Sequence, residues 1–260
     1  MKTVRRLSAF LVAGTLLAFP AFAEDLTVVF KSTGKGSSGT STQYFSSEHM
    51  RTRDGDQDTI FEYATGKIVS IDHKKKQYSE TTLAEIEGAM KAATAQMEQQ
   101  MASIPPAMRE KMQNMMGGGA AEVTVTRGGT KQVVGYATQQ YTVTMGESMT
   151  MSLWNTTDLV PPVPIAQLRK LASFTGPMAA MGQNPMFKGA AALAEKMKEI
   201  QGFTLADQTT VKMMGRGMES SREAVEVKRS AIPASEFDTG ALAAGYKKVD
   251  SPLGRMGKKN

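Results

Sequence analysis

Alternation of apolar and polar residues from Glu24 to Thr82 is the feature that most restricts how this chain can fold. Leu26, Val28 and Phe30 share one face of an extended segment, and turn-forming clusters such as Asp54-Gly55-Asp56 interrupt the pattern at short intervals. A period of two that is broken in this way is typical of antiparallel strands. We therefore predict a meander whose strands cover 26–30, 43–45, 49–53, 59–63, 67–72 and 77–81.

The period changes to that of a helix at Leu83. Leu83, Ile86 and Met90 recur at helical spacing, which predicts an amphipathic helix that ends at Pro105-Pro106 because proline lacks the amide donor. A second, shorter helix continues the apolar face to the glycine run at 117–119.

Strand patterns return after the glycine run. The first of these strands begins at Val123, and a turn is predicted at Arg127-Gly128-Gly129-Thr130. Tyr141, Val143 and Met145 share one face of a later strand, and Met149, Met151 and Leu153 share one face of the strand after it. Helices are predicted over 165–180 and 188–200, and the last strands over 204–213 and 219–231. This order predicts an α+β fold with one strongly curved antiparallel sheet of about ten strands and helices inserted between them.

The N-terminus has the pattern of a cleavable signal peptide. Lys2, Arg5 and Arg6 precede an apolar run over 7–20, which is short for a membrane span and is followed by Ala21-Phe22-Ala23. We predict that residues 1–23 are removed and that the mature chain starts at Glu24, in the periplasm.

The sequence contains no cysteine. A disulfide is therefore excluded, and so is the lipid-modified cysteine of a bacterial lipoprotein. We expect a protein that is not a lipoprotein, with one domain over 24–252 stabilised by burial alone and a flexible tail over 253–260.

Charge gives little indication of a partner. Of 31 basic residues, three leave with the signal peptide, so against 25 acidic residues the mature chain has a net charge of +3. The basic runs at 73–76 and 247–248 are short and lack interleaved aromatic residues, so we expect solvated loops and no nucleic acid partner. A weak attraction to anionic lipid headgroups stays open.

Methionine is concentrated in one stretch. The sequence has 20 methionines, and Met97 to Met116 holds six of them: Met97, Met101, Met108, Met112, Met115 and Met116. Such flexible, polarizable side chains suit an ordinary core, an adaptable cover over apolar cargo, or soft Cu(I) coordination. Spacing leaves all three interpretations open.

Catalytic and metal signatures are weak. His49 and His73 lie beside turns, with no nucleophile motif or metal-ligand spacing around them. The acidic run at 54–58 lacks the later glycine and glutamate of a calcium loop, since Thr59 and Thr65 stand in those places. We expect no enzyme, no metal site and no cofactor.

Five short motifs occur in a characteristic order: IDHKKKQY at 71–78, GYATQQY at 135–141, LWNT at 153–156, IPASEF at 232–237 and GYKKV at 245–249. Together they resemble an exported bacterial family, the domain of unknown function numbered 4412, which is similar to the LolA/LolB-like lipoprotein carriers. The resemblance implies an open half-barrel whose concave face is covered by helices and whose hollow holds lipid. It implies no catalytic residue.

The sequence thus predicts a periplasmic, non-enzymatic binding protein that holds a lipid or other apolar ligand in the hollow of its sheet. The alternatives are a methionine-based Cu(I)-binding protein and an interaction module whose core is filled by its own side chains. An envelope protein or a membrane surface is a further expected partner. The expected ligand-binding residues are Met97, Met101, Met108, Met112, Tyr141, Val143, Met149 and Met151.

Overall fold

The computed structural model describes residues 24–34, 38–102, 104, 122–164, 188–213 and 216–251. The predicted signal peptide, the second methionine helix, the helix over 165–180 and the C-terminal tail lie outside these ranges.

The described residues contain twelve strands in one sheet. Their bounds are β1 Leu26–Gly34, β2 Gly39–Phe45, β3 His49–Asp54, β4 Gln57–Glu62, β5 Lys67–Asp72, β6 Gln77–Thr82, β7 Val123–Val133, β8 Tyr136–Met145, β9 Met149–Thr156, β10 Phe203–Met213, β11 Arg216–Arg229 and β12 Lys247–Lys248.

The sheet consists of two meanders joined by one pairing. Strands β1 to β6 form the first meander, β7 to β11 form the second, and β11 pairs antiparallel with β1. The full order is β12-β6-β5-β4-β3-β2-β1-β11-β10-β9-β8-β7, so β12 and β7 are its two edges and the sheet is not closed. Among these twelve described strands, only β12, which pairs with β6, is parallel to its neighbour. The prediction of an open antiparallel sheet is confirmed, with more strands than the ten expected.

A salt bridge shows that the second meander is curled. Lys131 Nζ of β7 lies 2.6 Å from Glu223 Oε2 of β11. In a flat sheet these strands, four spacings apart, would be separated by about 19 Å. The register places both residues on the face that carries Trp154, so this part of the sheet curls towards that face.

The predicted turn at Arg127-Gly128-Gly129-Thr130 is wrong. The chain forms a β-bulge there and continues to Val133, and the turn follows at Val134 and Gly135, whose φ angles are +50° and +80°. Two residues with positive φ are typical of a two-residue hairpin turn. Gly128 serves a different purpose, because a Cβ there would lie 2.6 Å from the side-chain oxygen of Gln140.

Three α-helices lie in the described ranges: α1 Leu83–Ala102, α2 Lys188–Met197 and α3 Thr239–Leu242. Helix α1 begins where predicted, at a capping box in which Glu85 N donates to the Thr82 hydroxyl (3.2 Å) and Thr82 N donates to the Glu85 carboxylate (2.8 Å). Helix α2 confirms the helix predicted from residue 188, although it ends at Met197. Helix α2 packs on Val123, Val143 and Leu153, on the side of the sheet opposite Trp154, so it does not cover the concave face as predicted. That other helices cover the concave face stays a prediction.

The largest apolar cluster surrounds β1. Leu26, Val28 and Phe30 are fully buried there, as the alternating pattern predicts. They pack with Phe45, Phe61, Tyr63, Leu83, Val133, Leu159, Val163, Leu205, Ala206 and Ala224. Burial raises the pKa of the Tyr63 phenol, so this hydroxyl stays neutral.

A buried ion network holds the C-terminal segment, residues 233–249, against the first meander. The side chains of Arg51 on β3 and Asp58 on β4 are 1% and 0% exposed, and Arg51 Nη2 donates to Asp58 Oδ2 over 2.7 Å. Arg51 Nη1 donates to the backbone oxygen of Glu236 (2.8 Å) and to its carboxylate (2.5 Å). One guanidinium therefore joins the β3–β4 hairpin to a segment 185 residues away.

His73 extends the network. Its Nε2 lies 2.7 Å from Asp58 Oδ2, and its Nδ1 lies 3.1 Å from the hydroxyl of Tyr246. Around these polar groups, Leu242, Ala243 and Tyr246 pack on Ile60, Val69, Ile71 and Tyr78. The C-terminal segment thus combines an apolar contact with a charged anchor.

Replacement of Asp58 by Asn should destabilise the protein by about 3 kcal/mol, because Arg51 would stay buried after losing one of its two carboxylates. Urea unfolding followed by circular dichroism measures this change. The matched control is Glu87→Gln, which breaks an exposed pair with Lys91 and should cost less than about 0.5 kcal/mol. Equal losses in both variants would contradict a buried anchor.

Candidate functional site

Cross-strand register brings the predicted strand residues onto one face of the sheet. Val143 pairs with Met151, Tyr141 with Leu153, and Met145 with Met149. Val125 and Val123 of β7 pair with Val143 and Met145 and extend this surface. Because directly opposed residues project to the same side, these side chains form one apolar patch. We call it the methionine face: Val123, Val125, Val143, Met145, Met149, Met151 and Leu153.

Helix α2 covers part of the methionine face. Leu193 of the helix joins Val123, Val143 and Leu153 in a buried cluster, in which Val143 is 0% and Leu193 is 7% exposed. Met197 of α2 and Ile200 beyond its end lie at the border of this cluster. The contact comes from one side of α2 and of the turn that follows it, because Leu193, Met197 and Ile200 recur at helical spacing.

A ring of half-buried apolar residues surrounds the buried centre. Its members are Val125, Met145, Met149, Met151, Met197 and Ile200. Contiguous apolar surface that is left partly open to solvent often marks a site for a ligand or partner. Tyr141 lies on the same side by register and is half-buried, although it is outside the cluster.

The side chains of the four predicted helical residues lie outside the described structure. Met97 and Met101 belong to α1, but the description does not extend to their side chains. Met108 and Met112 lie outside the described residues altogether. The strand residues Val143, Met149 and Met151 meet each other, and their role in ligand binding stays a prediction.

Trp154 lies on the opposite side of the same strands. Alternation separates it from Leu153, and Lys131 Nζ lies 4.3 Å from the centre of its ring. Since the second meander curls towards Trp154, the methionine face is on the outer side of that curl. The prediction that Tyr141, Val143, Met149 and Met151 line the hollow of the sheet is therefore wrong for this part of it, because their face is opposite the hollow and faces α2.

The polar groups that sequence patterns did not single out are those of the Arg51 network. Arg51 and Asp58 are diagonal neighbours on one face of the β3–β4 hairpin, as the pairing of Arg53 with Asp58 shows. The strand alternation could have placed them together, but nothing in the pattern points to Glu236. Both are enclosed, and each already has a charged partner, which indicates anchoring.

A cleft of about 300 Å³ opens near the start of β1. It is lined by Glu24, Leu26, Asp158, Val160, Pro161 and Arg229. Arg229 donates to the backbone oxygen of Asp158 over 2.8 Å, which links two residues of this lining. None of the predicted ligand-binding residues contributes to it.

The described ranges contain neither a cluster of metal ligands nor a helix suited to a membrane. No group of three or more His, Asp or Glu side chains there is arranged to hold a metal ion. No helix in the same part of the chain has the length and apolar character needed to cross a bilayer.

Comparison with known proteins gives partial similarities to solved structures. No family model and no curated protein matches this chain. The structure of PNGF-II is 10% identical to this chain, with a TM-score of 0.39. The match covers 88% of this chain and 31% of the PNGF-II chain, so this chain spans about a third of the length of PNGF-II. An uncharacterized conserved protein from Thermus thermophilus is 7% identical with a TM-score of 0.44, with coverages of 88% and 91%.

The complex of MucA and MucB from Pseudomonas aeruginosa is a third example. Identity is 10% and the TM-score is 0.41, and the match covers 85% of this chain and 57% of that chain. TM-scores below 0.5 assign neither a family nor a function. Membership of family 4412 therefore stays a prediction, and we base the function on the residues of this chain.

Replacement of Leu193 by Ala should destabilise the protein by about 2–4 kcal/mol, since it removes the side chain that α2 buries against Val143 and Leu153. Urea unfolding measures the loss. Val160→Ala provides the control, because Val160 is 74% exposed and should change stability by less than about 0.5 kcal/mol. An unchanged midpoint for Leu193→Ala would show that α2 does not pack on the methionine face.

Proposed function

We propose that this protein is an exported, non-enzymatic binding protein that holds an apolar ligand, a lipid or acyl chain, between the methionine face and helix α2. The half-buried ring around Val143 and Leu193 carries this proposal. Its six side chains are apolar, contiguous and incompletely covered, and three of the four contributed by strands are methionines.

Methionine suits such a site for a physical reason. Its unbranched side chain has three rotatable bonds and a polarizable sulfur, so it repacks around a guest at small cost. Each methylene that an acyl chain buries contributes about 0.8 kcal/mol, which is partly offset by the loss of motion on binding. A few buried methylenes therefore support measurable affinity.

Export is supported by the position of the first strand. The predicted cleavage site precedes Glu24, and β1 begins at Leu26. Asp25 is already fixed, because its carboxylate accepts from Ile232 N (2.9 Å) and its backbone oxygen accepts from Ser230 N (3.2 Å). The fold therefore uses the residues immediately after the predicted cleavage site.

A non-enzymatic role is supported by the enclosure of the most reactive set of side chains. Asp58 is shared by Arg51 and His73, and its side chain is fully buried. A general acid or base must reach the proton that it transfers. We therefore assign Asp58 and His73 to anchoring of the C-terminal segment.

Binding is tested with a fluorescent fatty acid, 11-(dansylamino)undecanoic acid, titrated into the mature protein. Met149→Gln and Met151→Gln should each weaken binding about 5- to 30-fold, because an amide in the ring must be desolvated when the ligand enters. The matched control is Met50→Gln, which alters a half-buried strand methionine that packs in the cluster around β1. It should bind within about threefold of the parent.

Two outcomes would contradict the proposal. One is a parent protein that does not bind the probe. The other is an equal effect of all three substitutions, which would place the ligand elsewhere or reflect a general loss of stability. Circular dichroism of each variant separates these explanations.

A second candidate function is Cu(I) binding, and one observation favours it. Met145, Met149, Met151 and Met197 belong to one cluster, and thioethers are ligands that Cu(I) prefers. Leucine distinguishes the two functions, since it keeps the apolar surface and removes the sulfur. Met149→Leu with Met151→Leu should retain fatty acid binding within about threefold, whereas a copper protein would lose Cu(I) in competition with bicinchoninate.

A further inference from the structure

The structure brings together two basic runs that are far apart in the sequence. Strand β12 pairs with β6, so that Lys247 lies beside Gln77 and Lys248 beside Tyr78. Lys247 N donates to the backbone oxygen of Lys76 over 3.0 Å, and Val249 N donates to that of Tyr78 over 2.8 Å. The turn between β5 and β6 therefore joins β12 in one surface. Lys67 at the start of β5 also reaches this surface, because it shares Glu80 with Lys248. We call the surface the basic edge: Lys67, Lys74, Lys75, Lys76, Lys247 and Lys248.

Half of the basic edge is not neutralised. Lys75 pairs with Asp72 (2.9 Å), while Lys67 (2.7 Å) and Lys248 pair with Glu80. Within the described ranges, Lys74, Lys76 and Lys247 have no carboxylate within 4.0 Å, and all three are exposed. These three ammonium groups are free to meet an anionic surface.

The basic edge also concentrates the charge of the chain. Its six lysines stand against Asp72, Glu80, the neighbouring Asp250 and Asp56, whose backbone oxygen accepts from His73 N, which leaves a local charge of +2. The predicted mature chain as a whole has a net charge of +3. The basic edge therefore has a local charge close to the net charge of the whole mature chain, which favours its attraction to an anionic surface.

The composition of the basic edge favours lipid headgroups over nucleic acid. All six cations are lysines, which act as point charges and need no fixed geometry of the anion. Single-stranded nucleic acid would need aromatic rings on which bases stack. The nearby rings of Tyr78 and Tyr246 pack instead against Ile60, Val69, Ile71 and Ala243.

We propose that the basic edge docks the protein on an anionic lipid bilayer through Lys74, Lys76 and Lys247. Each lysine near such a surface contributes about fivefold to binding, and salt screens the attraction. Lysines on an edge strand also prevent pairing between sheets of different molecules, but glutamates would serve that role equally well because charge of either sign is sufficient. Reversal of the charge therefore separates the two roles.

The experiment measures sedimentation of the mature full chain with phosphatidylglycerol–phosphatidylcholine vesicles and with pure phosphatidylcholine vesicles. The parent should bind only the anionic vesicles, and about 1 M salt should abolish binding because the screening length falls to about 3 Å. The triple variant Lys74→Glu, Lys76→Glu, Lys247→Glu should lose at least about tenfold in affinity. The neutral triple replacement by Gln should show a smaller loss, and it keeps the test valid if the reversed variant folds poorly.

The matched control reverses three exposed lysines elsewhere: Lys91→Glu, Lys198→Glu and Lys228→Glu. It makes the same change in net charge and should bind anionic vesicles within about threefold of the parent. Equal losses in the two triple variants would overturn the proposal, because net charge alone would then explain binding. Equal binding to both kinds of vesicle, or tighter binding to DNA at the same salt, would also overturn it.

The basic edge and the methionine face can be tested separately. They lie at opposite ends of the strand order, since β12 is one edge of the sheet and β7 is the other. A protein that binds fatty acid but not anionic vesicles would contradict only the proposal of a docking surface. A protein that binds anionic vesicles but not fatty acid would contradict only the proposed function.

Discussion

The pairing of β1 with β11 is the contact on which the rest of the sheet depends. It matches residues 26–34 with residues 220–229 and so joins two meanders that are each built from local hairpins. Leu26, Val28 and Phe30 of β1 are fully buried beside this junction. Without the pairing, each meander would expose one edge and part of its apolar surface, which is unfavourable in water and invites association.

The junction places two different surfaces at the two ends of one sheet. At the β7 end, α2 covers part of the methionine face and leaves a ring of half-buried side chains. At the β12 end, the C-terminal segment packs on the first meander through α3 and bonds to Arg51, which also pairs with Asp58. The same segment places Lys247 and Lys248 beside the β5–β6 turn. The methionine face and the basic edge thus belong to one continuous sheet.

Local patterns predicted most of the strands because alternation and burial agree in them. The alternating burial of Leu26, Val28 and Phe30, the start of α1 at Leu83 and the shared face of Tyr141, Val143 and Met145 all follow from spacing. The β7–β8 turn did not, since the Gly128-Gly129 pair resembles a turn whereas the chain turns at Val134-Gly135, where the β-branched Val134 has a positive φ. The antiparallel pairing of β7 with β8, which extends from Val123 to Val133, outweighs that local preference.

Strand β12, the contact of Arg51 with Glu236 and the clustering of the site residues depend on pairing between separate segments, which sequence patterns do not reveal. Strand β12 has only two residues, too few for any period, and exists because Lys247 and Val249 bond to β6. The partner of Arg51 lies 185 residues away, and only the folded chain shows it. Of the eight predicted ligand-binding residues, Val143, Met149 and Met151 meet in one cluster because strand register unites them.

Native mass spectrometry of the protein purified from the cell envelope without detergent tests the central claim, that this chain carries an apolar guest. We expect a species heavier than the mature polypeptide, and organic extraction should return it to the polypeptide mass while releasing a lipid-like molecule. A single species at the polypeptide mass, unchanged by incubation with fatty acid or phospholipid, would contradict it.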